Sequence, residues 1–440
     1  MLKTNKLALL VLTFLSIHPL VHLSAQQRTF SALSRFGLGE SQTIGYSSSS
    51  AMGRTGIGVR SSYGINNFNP ASLSALDSLS FYFDGGMSYF WQSQETQDGN
   101  IENSDMVFDY IALAFSVSPR VTSSVGFKPI SGTGYKFLTT DEQINSQSEL
   151  NGSGNLTQAY FSLAVKPIEN LSVGASFGYL FGNLRNISKA EFLGSTLALN
   201  HGIYNEVRIS SIVYDFGAQY THLLDDARSL TLGVTFRPKI GLKGDATSYI
   251  ARGSIFGDDN NLFYPGSTVD TLRHHNKSLD NNEIEYAGSY GFGFSYNIKN
   301  KLTVAADYSA ELWSDAKHFD KTFSYKNTTK YSVGAEYIPN DRSAKSYLAR
   351  VRYRAGAYAR DENIGSYRDV NNNVINSDLK NYGITFGLGL PLKRSKTSIN
   401  LAVEFGKRDA NGSNNYKQSY GKITANFSIH ELWFYKRQFD

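Results

Sequence analysis

Three arginines at every second position are the densest set of groups in the chain that could bind an acid. Arg350, Arg352 and Arg354 alternate with apolar or small residues. An arginine facing lipid at mid-bilayer would cost roughly 2–4 kcal/mol, so in a spanning strand the row points inward. In nearby strand-like segments, Glu336 and Glu404 also fall at the alternate positions that would face inward. The row predicts either a salt-bridge ladder that stiffens the wall, or capture of an acidic ligand headgroup by an unpaired guanidinium.

Catalytic and metal-binding chemistry has weaker support. Two of the eight histidines, His18 and His22, lie near the N-terminus, and His274 and His275 are adjacent in a polar stretch. Adjacent side chains on an extended chain point apart, so this pair does not converge on a metal. No GxSxG motif is present, and the absence of cysteine excludes disulfides and thiolate metal sites. We predict no catalytic residue, no metal and no cofactor, and hence a protein that is not an enzyme.

Aromatic residues and glycine dominate the composition. The 440 residues include 28 Tyr, 28 Phe and 39 Gly, yet the mean hydropathy is −0.31. A formal net charge of +5 over this length is not typical of a nucleic-acid-binding protein. A Tyr-rich and Gly-rich chain without long apolar runs fits a transmembrane β-barrel, because only every second residue of each strand faces lipid.

The N-terminal residues have the organisation of a secretory signal peptide. Lys3 and Lys6 precede an apolar run, Leu7 to Ile17, which is shorter than the roughly 20 residues of a membrane-spanning helix. We place cleavage after Ala25. Residues 1–25 are therefore predicted to be the signal peptide of an exported protein.

From residue 78 onward, apolar residues recur at every second position. Between Leu171 and Phe181 the odd positions are apolar and the even positions begin with serine and glycine. A period of two indicates strands with one apolar face and one small or polar face. About fourteen such segments occur: 78–92, 106–118, 121–136, 156–166, 171–184, 206–223, 229–249, 283–297, 300–314, 321–338, 345–360, 379–391, 395–408 and 417–430. A soluble β-sandwich would alternate in the same way.

The lengths of the connections favour a barrel over a sandwich. Connections after even-numbered segments are short, as at 119–120 and 167–169. Those after odd-numbered segments are mostly long and polar: 93–105, 137–155, 185–205, 250–282 and 361–378. This alternation is typical of outer-membrane barrels, with the short turns and the N-terminus in the periplasm. We predict an all-β fold, a transmembrane antiparallel β-barrel of about fourteen strands, over residues 78–440.

Residues 26–77 show neither the strand period of two nor the helical period of 3.6, but they contain glycines and an Asn-Pro-Ala turn. The stretch from Ala51 to Leu73 reads AMGRTGIGVRSSYGINNFNPASL and ends in Asn69, Pro70 and Ala71. Followed by a series of alternating strands, it resembles the outer-membrane long-chain fatty acid transporter family (FadL type). In that family an N-terminal hatch with such an element lies inside a fourteen-stranded barrel. The resemblance implies that residues 26–77 form a hatch in the lumen, with the Asn-Pro-Ala turn on the substrate path.

The third strand segment contains a proline followed by two glycines. Pro129 lies inside a strand-like run, with Gly132 and Gly134 close behind. Proline cannot donate to the strand ladder, so it implies a bulge, a kink or an opening, although an extracellular strand end would also explain it. The third strand of FadL-type barrels has an inward kink that opens the wall laterally. The resemblance implies such an opening at these three residues.

The FadL resemblance also implies a function and a set of partners. It implies a transporter for hydrophobic small molecules, fatty-acid-like or aromatic, which pass from an extracellular pocket through the hatch and the kink into the bilayer or the periplasm. The alternative is a component of the same fold in a protein secretion system, similar to PorV of the type IX system, that binds cargo protein. Expected partners are the ligand, outer-membrane lipids with lipopolysaccharide, and the barrel-assembly machinery, without nucleic acid. We expect a monomer in the bacterial outer membrane.

Overall fold

The computed structural model describes residues 31–96, 99–193, 199–253, 262, 269–280, 283–318, 323–368, 374–392, 396–410 and 417–432. The predicted signal peptide and residues 26–30 of the predicted hatch lie outside the described residues. The main elements are fourteen strands: β1 (Ser80–Thr96), β2 (Gly99–Ser118), β3 (Val121–Asp141), β4 (Ser146–Ile168), β5 (Leu171–Phe192), β6 (Asn200–Leu223), β7 (Arg228–Arg237), β8 (Ser289–Ile298), β9 (Leu302–Glu311), β10 (Thr328–Tyr337), β11 (Arg352–Asp361), β12 (Leu379–Pro391), β13 (Ser398–Ala410) and β14 (Lys417–Leu432).

These strands form a closed antiparallel sheet. Each strand pairs with the next along the chain. The last strand, β14, pairs back to β1, from Leu432 opposite Ser80 to Lys417 opposite Glu95. The prediction of an all-β antiparallel barrel of about fourteen strands is confirmed.

Side chains alternate between an apolar outer face and a small or polar inner face. On β8, Phe292 and Phe294 are 54% and 41% exposed, whereas the neighbouring Ser295 is buried. On β12, Phe386 is exposed and Thr385 is fully buried. A wall with its apolar side chains outward is stable only where lipid surrounds it. The chain is an outer-membrane β-barrel.

Several strands extend further than the sequence predicted. Three regions predicted as long connections are largely strand: 93–105, 137–155 and 185–205. These extensions are polar hairpins held by backbone pairing, which an apolar alternation does not reveal. The segment predicted at 229–249 is instead interrupted. Strand β7 ends at Arg237, the next residue is Pro238, and a separate strand, Gly244–Gly253, pairs with β6.

Smaller elements cover the barrel end that carries the long hairpins. Short strands there are Ile240–Gly241 paired with Glu285–Tyr286, Gly244–Gly253 paired with Val269–Leu279, and a sheet of Phe323–Tyr325, Ile364–Arg368 and Val374–Asn376. The described residues also include 3-10 turns: Ala32–Arg35, Ser47–Ala51, Pro70–Ala75, Trp313–Asp315 and Leu348–Arg350. Across the described ranges, no helix has the length and apolar character needed to cross a membrane.

Residues 31–77, termed here the N-terminal segment, pack against the inner face of the wall. Glycines on seven strands face this segment: Gly174, Gly217, Gly233, Gly293, Gly334, Gly356 and Gly387. A Cβ atom at Gly174 would stand 2.6 Å from the backbone nitrogen of Ala71, and one at Gly334 would stand 2.5 Å from the carbonyl oxygen of Met52. The segment therefore approaches the wall at distances that leave no room for a side chain.

Candidate functional site: a split wall and a filled interior

The wall is split between β2 and β3 over the half that leads to the long hairpins. Pairing between these strands ends at Ile111 opposite Phe127. From that pair toward the long hairpins, β2 pairs only with β1 among the described strands, and β3 pairs with β4. The register of β3 shifts between Pro129 and Ser131, which leaves Ile130 as a bulge. A bulge bends the strand that carries it, so β3 turns away from β2 at Pro129, where the sequence predicted a bulge, kink or opening.

The N-terminal segment covers part of the split-facing edge of β3. Glu40 and Ser41 pair with Gly132 and Ser131. Further along β3, the backbone N–H of Ser31 donates to the carbonyl oxygen of Gly134 at 2.9 Å. Gly132 and Gly134, which the sequence singled out, therefore lie where the segment meets the wall.

The Asn-Pro-Ala turn is fixed against the wall by Asn69. Its Oδ1 accepts from the N–H of Ala71 at 3.0 Å, which caps the 3-10 turn Pro70–Ala75. Its Nδ2 donates to the carbonyl oxygens of Ile57, Ala218 and Val234 at 3.0, 3.2 and 3.3 Å. One side chain thus links the turn to the N-terminal segment itself, to β6 and to β7.

A cavity of about 200 Å³ remains between the N-terminal segment and the wall. Pro70 and Pro129 both line it, so the structure brings the predicted hatch turn and the predicted kink to one space. Its lining is polar and apolar in about equal parts, and it includes the charged side chains of Lys128, Asp215, Arg237, Asp307 and Lys330. A purely apolar ligand would leave such charged groups without solvent, which is unfavourable.

The interior nearer the long hairpins is a packed apolar core. Leu156, Leu180, Leu242 and Ile284 are all at most 1% exposed, and Leu38 of the N-terminal segment packs among them. This role of Leu38 was not predicted from the sequence, because its contacts come from strands far along the chain. Apolar side chains of the protein itself occupy this part of the lumen.

The predicted arginine row is only partly formed. Arg354 lies in β11, with Nε 2.6 Å from Glu336 Oε2 and Nη1 2.6 Å from Asn400 Oδ1. Arg352 places its guanidinium 3.3 Å from the ring centre of Tyr63 in the N-terminal segment. Arg350 lies outside the strand that the sequence predicted for it. It ends the 3-10 turn Leu348–Arg350, two residues before β11 begins, so strand parity does not apply to it.

Glu404 is bound by the N-terminal segment, not by the arginine row. Arg54 Nη2 lies 2.7 and 2.8 Å from the two carboxylate oxygens of Glu404, and the Tyr358 hydroxyl donates to the same group at 2.5 Å. Burial opposes the charge of Arg54, but Glu404 and Tyr358 outweigh it and raise the pKa of Arg54 above its ordinary value. Arg54 was not predicted from the sequence as a binding residue, although it is one of two charged residues in the glycine-rich stretch from Ala51 to Leu73.

Arg60 is a second cation of the N-terminal segment that is largely removed from solvent. Its guanidinium donates to the neutral side chains of Ser172, Gln219 and Ser74 at 3.0, 3.1 and 3.0 Å. Burial lowers the pKa of Arg60 to about 10, which leaves it charged at neutral pH. Together Arg54 and Arg60 tether the segment to opposite parts of the wall.

An apolar groove lies on the outer face directly beside the split. Ile111, Val125, Phe127, Phe161, Phe177 and Ile212 line it. It begins at the last strand pair before the split. In the described part of the chain, no group of three or more His, Asp or Glu side chains is placed to hold a metal ion.

The sequence matches the profile of the BamG family over residues 1–440. The chain belongs to the BamG family. No curated protein matches its sequence.

Solved structures show the fold that this BamG-family chain adopts. It is similar to the P. putida toluene transporter TodX, with a TM-score of 0.61 and 16% identity over 90% of this chain and 100% of that one. It is also similar to the CymD monoaromatic hydrocarbon channel (TM-score 0.55, 16% identity, 91% and 100% covered) and to a Pseudomonas aeruginosa FadL homologue (0.53, 12%, 89% and 100%). The predicted resemblance to FadL-type barrels is confirmed. TodX is described as a transporter and CymD as a channel.

Proposed function

We propose that this protein is a protein-docking component of outer-membrane barrel assembly, built on a FadL-type barrel. The observation that carries the proposal is the match to the BamG family along residues 1–440, since Bam designates the β-barrel assembly machinery. Barrel-assembly machinery is among the partners expected from the sequence. In this role the barrel offers surfaces to other outer-membrane proteins.

The filled interior supports a docking role. Small-molecule sites usually have volumes of about 300–1,000 Å³ and mostly apolar walls. The cavity here is about 200 Å³, and charged side chains line it. The N-terminal segment is held by the ion pair of Arg54 and Glu404 and by the contacts of Asn69 with β6 and β7. Passage through the lumen would require these contacts to break.

Depletion of the protein from the source bacterium tests the assembly role. We expect the amounts of folded barrel proteins in the outer membrane to fall, and expression of the wild-type chain to restore them. Uptake of toluene and of oleate is measured in the same cells, with correction for the loss of other barrels. Normal levels of barrel proteins after depletion would contradict the proposal.

A second candidate is transport of hydrophobic small molecules, fatty-acid-like or aromatic. The split beside Pro129 and the apolar groove outside it favour this function, because a ligand leaving through them would stay in an apolar medium. In this second proposal residues 26–77 act as a movable hatch, and ligand leaves sideways past Pro129, Gly132 and Gly134. The triple variant Pro129→Val, Gly132→Val, Gly134→Val would then block uptake while ligand still binds. Undiminished uptake would exclude the lateral route.

The proposed orientation of the barrel in the outer membrane rests on the lengths of its turns. We infer that the short turns and the N-terminal side face the periplasm, with the long hairpins outside among lipopolysaccharide. Residues 1–25 would be removed on export. A cargo-binding role similar to PorV would share this placement, and would be favoured if the protein co-purified with secreted cargo but depletion left barrel proteins unchanged.

A further inference from the structure

Within the described part of the chain, the edge of β2 that faces the split has no neighbouring strand. On β2, the described residues Glu102, Ser104 and Met106 lie opposite residues of β1, and β3 has already diverged on the other side. Met106 and Phe108 point outward with exposures of 60% and 48%, so the lower part of this edge lies in the apolar belt. Backbone polar groups at that depth require a partner, because lipid offers no hydrogen bonds.

The hydrogen bond of Met106 shows which way this edge faces. Its backbone N–H donates to Oδ1 of the preceding Asp105 at 2.8 Å. A donor used in this way points away from β1, and residues two apart on a strand point to the same side. Met106, Ser104 and Glu102 therefore direct their backbone groups into the split. The Asp105 carboxylate occupies the position that a carbonyl oxygen of an added strand would take.

We propose that this edge binds a β-strand of another outer-membrane polypeptide by strand addition. The inference rests on the proposed assembly role and names the surface that serves it. Backbone hydrogen bonds would hold the added strand, as in other cases of β-augmentation. Its carbonyl replaces Asp105 Oδ1 at the Met106 N–H, and its apolar side chains continue the outer groove that begins at Ile111 and Phe127.

Charge selects the class of strand and disfavours a second copy of this chain. The edge carries Glu102, which is exposed, and Asp105, and no lysine or arginine occurs between Gly99 and Tyr110. The added strand is therefore apolar beside Met106 and basic where it passes Glu102. Two copies meeting edge to edge would bring two acidic edges together, which costs free energy.

Site-specific photocrosslinking in living cells tests the proposal. A benzophenone amino acid replaces Ser104, which is exposed and faces the split, and a control chain carries it at Val333, exposed on the fully paired strand β10. We expect Ser104 to crosslink to a β-strand of an outer-membrane protein, mapped by mass spectrometry, and Val333 not to do so. Crosslinks to lipid alone, to a second copy of this chain, or equally from both positions would overturn the proposal.

Two variants separate backbone docking from simple proximity. Met106→Pro removes the split-facing N–H, whereas Met106→Ala keeps it. We expect the Ser104 crosslink to fall about tenfold in Met106→Pro and to change little in Met106→Ala. The double variant Glu102→Lys, Asp105→Lys should also abolish it, by repelling a basic strand, and is decisive if Met106→Pro does not fold. A crosslink unchanged in the folded variants refutes strand addition.

Failure of the proposed docking edge on β2 can be distinguished from failure of the proposed assembly role. If depletion lowers barrel proteins but Met106→Pro supports normal levels and an unchanged crosslink, the docking edge is wrong and the assembly role stands. If the crosslink is mapped and proline-sensitive but depletion leaves barrel proteins unchanged, the edge stands and the assembly role fails.

Discussion

Replacing Glu404 by glutamine should release the N-terminal segment from one side of the wall. The change keeps the shape of the side chain but removes the charge that faces Arg54 at 2.7 Å. Both side chains are largely buried, with 16% of Arg54 and 6% of Glu404 exposed. Removing one partner of a buried pair costs about 3–5 kcal/mol. Glutamine still offers an oxygen to Arg54, so we expect a loss of about 3 kcal/mol in the free energy of unfolding.

Asp270→Asn is the matched control, because it makes the same chemical change in an exposed pair. Asp270 lies 2.7 Å from Arg252, and their side chains are 56% and 43% exposed. Exposed pairs contribute less than about 1 kcal/mol. Both variants are unfolded with guanidinium in lipid vesicles and followed by tryptophan fluorescence, and proteolysis of residues 31–77 is measured without denaturant. Equal stability of the two variants, or no faster proteolysis in Glu404→Gln, would refute the reasoning.

Three further outcomes are expected. A cysteine at Glu142, at the tip of a long hairpin, should react with an impermeant thiol reagent on intact cells, and one at Asp226 should react only after the outer membrane is permeabilised; equal labelling would contradict the orientation. Arg352→Ala should lose about 2 kcal/mol of stability with its aromatic contact, seen as a lower unfolding temperature, while barrel proteins stay normal in cells; the reverse pattern would assign it to function. Gly174→Ala should cost about 1–3 kcal/mol, whereas Gly85→Ala, with 3.6 Å of space around its new carbon, should change stability by less than about 0.5 kcal/mol; equal unfolding midpoints would show that the segment yields easily.

Local periodicity explains why the barrel was predictable. From Leu171 to Phe181, a period of two reports directly which residues face outward, and this signal needs no knowledge of distant contacts. The bulge at Pro129 was also predictable, because proline lacks the N–H that a ladder needs. At Arg350 this periodicity no longer reports direction. The alternation of arginines continues one step beyond the start of the strand, and parity has no meaning in the turn before it.

The arrangement of the interior could not be predicted, because it depends on contacts between distant residues. Arg54 and Glu404 are 350 positions apart, and no local pattern pairs them. Leu38 reads as an isolated apolar residue until β4, β5 and β6 surround it. The split-facing direction of Met106 depends on where β3 diverges from β2, which is a property of register and not of composition.

The row of inward glycines has a consequence for the order in which the protein is made. The N-terminal segment precedes β1 in the chain, and it lies against glycines on seven strands between β5 and β12. A closed wall with so little clearance along these strands cannot admit the segment, which is already joined to β1. We therefore expect the segment to lie inside before the wall closes, so that the wall forms around contents already in place.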